Sequence, residues 1–335
     1  MTNFSQFAPS RLLKTCYLTM VSLAALLFLS MATGVVGAQT PAPQTPDDIY
    51  KIRVNTNLVV LHATVEDRKG VAVSGLDKDD FQVYEDGRLQ PIKYFSHQDV
   101  PVTVGLVIDN SGSMTPKRSS VIAAALAFAR SSNPQDQLFV VNFNEYVSFA
   151  LPEDVPFIGL GADLEAALST MTTTGKTSLY DAIAAAMEHL KRGNRDKKVL
   201  IVISDGGDNS SKHSNLAQIV AMAQRSETII YTIGLFDEQD DRRHLPVLKQ
   251  LAQNTGGDIY VPETIAQVVP TCEQIARDIR NQYTIAYVPA NTKQDGMFRA
   301  IQVKAKVADG RRLSVRTRPG YRAPLAAQIA RKKTP

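Results

Sequence analysis

Four continuous apolar runs, VTVGLVID at 102–109, QLFVVNF at 137–143, KVLIVIS at 198–204 and TIIYTIG at 228–234, constrain the fold more than any other feature of the chain. A strand that is apolar at every position has both faces to cover, which antiparallel sheets with one wet face do not do. The intervening segments supply the cover, because their apolar residues recur at helical spacing: Val121, Ala125 and Phe128, then Leu164, Leu168 and Met171 in a helix over 163–171, then Leu179, Ile183, Ala186 and Leu190. Met171 and Met187 fall on these stripes and read as core. Strand and helix alternating over 101–280 predict an α/β fold, a doubly wound and mostly parallel sheet with helices on both faces.

On either side of that segment the period changes from helical to two. In VVLHATVED, Val59, Leu61, Ala63 and Val65 share one face, opposite Val60, His62, Thr64 and Glu66. FQVYEDGRLQPIKYF follows, with Asp86-Gly87 as a hairpin turn between two alternating runs. After Gln282, residues Tyr283, Ile285 and Tyr287 alternate, then Ile301, Val303, Ala305 and Val307 opposite Gln302, Lys304 and Lys306, with turns at Asp295-Gly296 and Asp309-Gly310. A few strands with one apolar face are not stable alone. The antiparallel segments at 53–100 and 281–323 are therefore expected to pair into one sandwich, with the α/β domain inserted between them. His62 and His97 read as half-exposed surface histidines in or beside these strands.

The N-terminus directs the body out of the cytoplasm. Arg11 and Lys14 precede YLTMVSLAALLFLSMATGVVGA, which ends in the small residues Val36-Gly37-Ala38, so 1–38 reads as an export signal. Residues 17–38 are also long enough to span a bilayer, and an uncleaved membrane tether is the alternative. Either way the periplasm, the cell envelope or the exterior holds the main body. A proline-rich linker occupies 39–52 and a short basic tail 324–335. Of the two cysteines, Cys16 precedes the apolar stretch and Cys272 lies on a helical apolar stripe, so no disulfide forms in the mature chain and Cys272 reads as core. The net charge of +4 includes Arg11 and Lys14, which leaves a near-neutral body and no case for nucleic-acid binding.

TTTGKTSLYD at 172–181 holds a Gly-Lys-Thr that invites a nucleotide reading. Spacing rejects it: where the first glycine of Gly-x-x-x-x-Gly-Lys-Ser/Thr belongs, the chain has Thr170, and the segment follows a helix instead of a strand. The stronger signal is VIDNSGSM at 107–114. A buried strand ends in Asp109, and Ser111 and Ser113 follow at steps of two on a loop that enters a helix. The carboxyl ends of parallel strands are where open α/β sheets hold ligands. Oxygen donors at that spacing suit Mg²⁺, with Mn²⁺ or Ca²⁺ as alternatives, and the lack of a supporting His or Cys argues against zinc. Taken singly, Ser111 and Ser113 would read as helix caps and Asp205 as a turn residue. Asp208 and Asn209 lie close enough to support the site residues from behind or merely to solvate the loop, the second being the preferred reading, and the acidic run 236–241 reads as an exposed loop.

Together these residues resemble the von Willebrand factor type A domain and its metal-ion-dependent adhesion site, written Asp-x-Ser-x-Ser, a distant Thr and a distant Asp. Asp109, Ser111 and Ser113 match the first part, Thr177 in TGKTSLYDA the threonine, and Asp205 in VLIVISDGGDN the closing aspartate. The flanking ATVEDRKGVAVSGLDKDDFQVYEDGRLQPIKYF and QYTIAYVPAN are similar to the domain-related proteins of Acidobacteria. The resemblance implies a divalent cation held by the five residues, with an open coordination position that takes a carboxylate from another protein.

The expected function is a cation-dependent protein-binding or adhesion module outside the cytoplasm, and not an enzyme. A structural envelope-assembly protein is the alternative. A metal-assisted hydrolase is weaker still: no HExxH or Gly-x-Ser-x-Gly occurs, and none of the five histidines adjoins the metal motif in sequence.

Overall fold

Short antiparallel strands begin the described chain: β1 (Val59–Glu66), β2 (Phe81–Glu85), β3 (Arg88–Gln90) and β4 (Ile92–Ser96). The β2–β3 hairpin turns on Asp86 and Gly87, whose φ values of 47° and 77° are those that a two-residue hairpin requires and that glycine adopts without strain. The alternating segment follows: β5 (Val102–Asp109), α1 (Arg118–Ser131), β6 (Gln137–Phe143), β7 (Val147–Phe149), α2 (Ala162–Ser169), α3 (Leu179–Leu190), β8 (Lys197–Ser204), α4 (Leu216–Ser226), β9 (Ile229–Gly234), α5 (Leu245–Gln253), β10 (Ile259–Tyr260) and α6 (Val268–Arg280). The chain closes with β11 (Tyr283–Tyr287), β12 (Phe298–Ala305), β13 (Ser314–Arg316) and β14 (Gly320–Arg322). This computed structural model describes residues 58–159, 162–169, 173–236, 244–307, 310 and 312–325. The export segment 1–38, the linker 39–52, Met171, residues 237–241 of the acidic run and the tail from 326 lie outside the described residues.

The central sheet has the order β10-β9-β8-β5-β6-β7, parallel except for the edge pair β6–β7. Helices α1, α2 and α6 pack on one face, against Val104, Leu106 and Ile108 of β5; α3, α4 and α5 pack on the other, against Val107 of β5 and Leu200 and Val202 of β8. Full coverage is why these strands are apolar at every position. The chain runs outward from β5 to β6 on one side and from β8 to β9 on the other, so a switch point lies between β5 and β8. In such a sheet, the crevice for a ligand opens beyond the carboxyl ends of those two strands.

The two outer β segments interleave. One four-stranded sheet has the order β13-β1-β11-β4 and the other β14-β12-β2-β3, so each contains strands from both ends of the chain. Leu61, Val65, Phe81, Val83, Tyr283, Ile285, Ile301 and Val303 form the core between them. Strand β12 keeps the alternation of a half-wet sheet, with Ala300, Gln302 and Lys304 outward. Strand β1 does not: Val60 and Thr64, on its supposed polar face, are buried as well. Thr64 faces the α/β domain through Gln282, whose amide donates to Thr64 Oγ1 and Tyr231 Oη at 3.2 Å each, while Val60 packs with Leu58, Tyr94 and Ala286.

Helix α2 starts at Ala162, one residue earlier than expected, and is described as far as Ser169; its expected end at Met171 lies outside the described residues. His97 is half-exposed, as expected, and is held in place: its ring stacks on Tyr283 at 4.1 Å and its Nε2 meets the Asn281 carbonyl at 3.1 Å. Cys272 is buried as expected, and burial pushes its thiol up to about 12. Among the described residues no helix is long and apolar enough to cross a membrane.

Two positions in the central sheet generate tests. Gly105 of β5 sits where an added Cβ would lie 2.4 Å from Phe139 Cζ and 2.7 Å from Leu200 Cδ2. Gly105→Val is expected to cost about 1–3 kcal/mol in urea unfolding, the usual range for overpacking a core. Lys197, at the start of β8, is buried and donates to the Ile279 carbonyl of α6. Burial drives its amine down to about 7, against the pull of Asp136 and Asp99. The unfolded chain keeps this proton up to its ordinary 10.5 while the folded protein releases it near 7, so in that window the unfolded state holds more protons and stability rises with pH. Lys197→Met is expected to flatten that rise, read from denaturation midpoints across the window relative to wild type.

Candidate metal centre

Parallel register brings Ile108 of β5 beside Ile203 of β8, and therefore Asp109 beside Ser204 at the strand ends. Ser204 Oγ donates to Asp109 Oδ2 at 2.6 Å, and the Ser111 amide donates to Asp109 Oδ1 at 2.8 Å. From there a chain of polar contacts leads outward. Ser111 Oγ lies 3.2 Å from Ser113 Oγ, and Ser113 Oγ donates to Asp205 Oδ2 at 2.7 Å. Four of the five expected residues are thus joined in one network across two adjacent strand ends. Asp109 and Ser111 are 1% and 2% exposed, Asp205 is half-buried and Ser113 is exposed, so the network has a dry floor and an open mouth.

Thr177 arrives from a third loop, which the backbone ties to the other two. Gly175, with φ 84°, turns its carbonyl to accept the Gly112 amide at 3.3 Å, and the Thr174 amide donates to the Asn110 carbonyl at 2.9 Å. Gly175 makes the turn, as no side chain at that φ does without strain. Thr177 itself is 5% exposed and held on both sides of its peptide: its amide donates to Asn209 Oδ1 at 2.9 Å, and its carbonyl accepts from the Asn209 and Ser210 amides at 3.0 Å each. Lys176 is exposed.

Three further features stand behind the network. Ser204 supplies the hydrogen bond that holds Asp109, and its only sequence signal is its place at the end of β8. Asn209 does not merely solvate its loop; it clamps Thr177, and Asp208 accepts from Ser211 Oγ at 2.6 Å and from the Tyr180 amide, in the first turn of α3, at 3.4 Å. His244, which precedes α5, packs against the Gly206-Gly207 turn after Asp205, so a histidine adjoins the metal loop in space although none does in sequence. The capping alternative for Ser111 fails: it stands at the N-cap of the 3₁₀ turn Gly112–Lys117 without a side-chain capping bond.

Electrostatics bear on what the network can hold. Burial pushes the Asp109 carboxyl up to about 6, with the Asp205 charge acting the same way, against hydrogen bonds from Ser111 and Ser204 that favour the anion. A buried carboxylate with a second carboxylate nearby and no ion pair among the described residues is costly, and a cation relieves that cost. The donors at the mouth are hydroxyls and carboxylates, all hard oxygens that fit Mg²⁺, Mn²⁺ or Ca²⁺. Among the described residues no group of three or more His, Cys, Asp and Glu side chains could hold a metal ion. Ser204→Ala, which leaves Asp109 Oδ2 without its donor in a dry site, is expected to cost about 1–3 kcal/mol in urea unfolding at neutral pH.

Comparison with known proteins agrees with this geometry. The sequence profile of the von Willebrand factor type A domain matches residues 104–207, a span that includes all five positions. The fold is similar to a von Willebrand factor type A protein from Catenulispora acidiphila, with 14% identity and a TM-score of 0.50 over 81% of this chain and 74% of that one. Two further structures are similar to shorter parts. One is the von Willebrand factor domain of the type V pili tip protein Mfa5 from Porphyromonas gingivalis (16% identity, TM-score 0.46, covering 54% of this chain and 95% of that one). The other is the proximal thread matrix protein 1 of the mussel byssus with a zinc-occupied adhesion motif (15% identity, TM-score 0.47, covering 58% and 50%). No curated protein sequence matches the chain. With β5 and β8 side by side, Asp109 and Asp205 at their ends and the family profile matched across both, the inserted segment of this chain is a von Willebrand factor type A domain.

Proposed function

We propose that the protein is a cation-dependent protein-binding module that works outside the cytoplasm. The observation that carries this reading is the single polar network at the switch point, which runs from buried Asp109 through Ser111 and Ser113 to Asp205. Asp109, Ser111, Ser113, Thr177 and Asp205 would hold the cation, taken as Mg²⁺. The ion would supply Lewis acidity toward an anionic oxygen. Ser204 and Asn209 position Asp109 and Thr177 through the bonds described above.

The gradient of exposure supports binding in preference to turnover. The floor is closed by β5 and β8, while Ser113 and Asp205 face the solvent, where an acidic side chain of a partner protein can approach. With three hydroxyls among five donors, the bound ion keeps more of its positive charge than in an all-carboxylate site, and it attracts a further carboxylate. Von Willebrand factor type A domains mediate protein–protein interactions, and the chain carries such a domain. The apolar stretch at 17–38 supports export, with a membrane tether if it is not removed.

Affinity capture from the native envelope fraction tests the reading. A partner is expected to bind wild type in Mg²⁺ and to be lost in EDTA. Asp109→Ala is expected to lose it in Mg²⁺ as well, with a circular dichroism spectrum like that of wild type. Equal capture in Mg²⁺ and EDTA would overturn the cation requirement.

A further inference from the structure

A cleft of about 320 Å³ opens far along the chain from the metal network, between the carboxyl end of α4 and the sandwich. Its walls are of two kinds. Val288, Pro289, Tyr321 and Pro324 provide an apolar side; Arg225, Lys293, Arg318 and Arg322 provide four cations. Glu227 is the one carboxylate in the lining, and it faces Arg318 at 3.3 Å.

Arg318 is the built part of this site. It is 8% exposed; its Nη2 donates to the Val60 carbonyl at 2.8 Å, and its guanidinium lies 5.7 Å from the centre of the Tyr321 ring. Its buried Nε has no hydrogen-bond partner among the described residues. A buried guanidinium with a donor left over is costly unless an acceptor meets it. Arg225, Lys293 and Arg322 are exposed, and among the described residues none of them forms an ion pair. Four cations against one engaged carboxylate leave the cleft with an excess of positive charge beside an apolar wall.

We propose that this cleft binds a small apolar monocarboxylate, its carboxylate against the arginines and its hydrocarbon body along Val288, Pro289 and Pro324. Guanidinium groups are the side chains best suited to carboxylates, and the volume is at the lower end of small-molecule sites, enough for an acid of roughly ten heavy atoms. The inference does not depend on the metal reading, because none of the five metal-site residues lines the cleft.

Equilibrium dialysis of labelled octanoate against the full chain, in EDTA to exclude binding through a cation, tests it. One saturable site is expected, with octanol at least tenfold weaker. Lengthening the acid from hexanoate to octanoate should tighten binding about tenfold, the factor expected for two buried methylenes. Lys293→Glu and Arg322→Glu, both at exposed positions, should each weaken octanoate tenfold or more, whereas Asp109→Ala should leave it unchanged. Octanol binding as well as octanoate, no effect of either charge reversal, several weak sites, or no saturable binding at millimolar octanoate would each overturn the proposal. So would a tenfold gain in affinity on changing Asp47 and Asp48 to Asn, because that result would make the chain's own acidic segment the occupant.

Discussion

The hydrogen bond between Ser204 and Asp109 is the contact around which the carboxyl end of the central sheet is organised. It exists because β5 and β8, distant in sequence, are neighbours in the sheet, and it holds a carboxylate at 1% exposure where water cannot solvate it. Each of the other site groups answers that buried charge or extends from it. The Ser111 amide folds back on it, Ser113 carries the network out to Asp205, and the Thr177 loop is fastened alongside by Gly175 and Asn209. A dry floor with an open mouth is what a site needs if it is to keep an ion in place and still offer it to a second molecule.

The sandwich gives the domain its frame. Each of its sheets contains strands from both ends of the chain, so neither end can leave without opening both. The joint with the α/β domain is polar and dense. Arg316 of β13 lies 3.1 Å from Glu66, 3.4 Å from Asp258 and 3.9 Å from Asp278, and Tyr260 donates to Asp278 at 2.5 Å. The group is half-buried, with Asp278 alone fully buried, so separating the two parts leaves that carboxylate without its partners. Helix α6 runs straight into β11 through Asn281 and Gln282, and Gln282 bonds to both parts at once. The polar network is therefore carried on a domain that the sandwich holds at the opposite end of its sheet.

How much of this was legible beforehand depended on whether a residue's role is local or relational. The apolar runs at 102–109 and 198–204 could only be strands covered on both faces, and the Asp-x-Ser-x-Ser spacing could only bring oxygens together at the end of one of them. The Asp86-Gly87 turn was legible for the same reason, since a two-residue hairpin demands positive φ. Thr64 and Val60 misled, because alternation in sequence records what a strand needs on one face and cannot record a neighbour that covers the other. Asn209 and Ser204 gave no sign of their roles, because a hydrogen bond to a loop over thirty residues away, or to a strand nearly a hundred residues away, leaves no periodic trace.

The amino-acid sequence by itself determined the α/β alternation, the flanking antiparallel segments and the five candidate residues of the site, since periodicity and motif spacing are properties of a chain read in order. The tertiary structure decided which strands are neighbours, and with that the joining of Asp109 to Ser204, of Ser113 to Asp205 and of Arg318 to the wall of a cleft. The reason is physical: burial and hydrogen bonding depend on what lies across the sheet or against the helix, and those distances are set only when the chain has closed on itself.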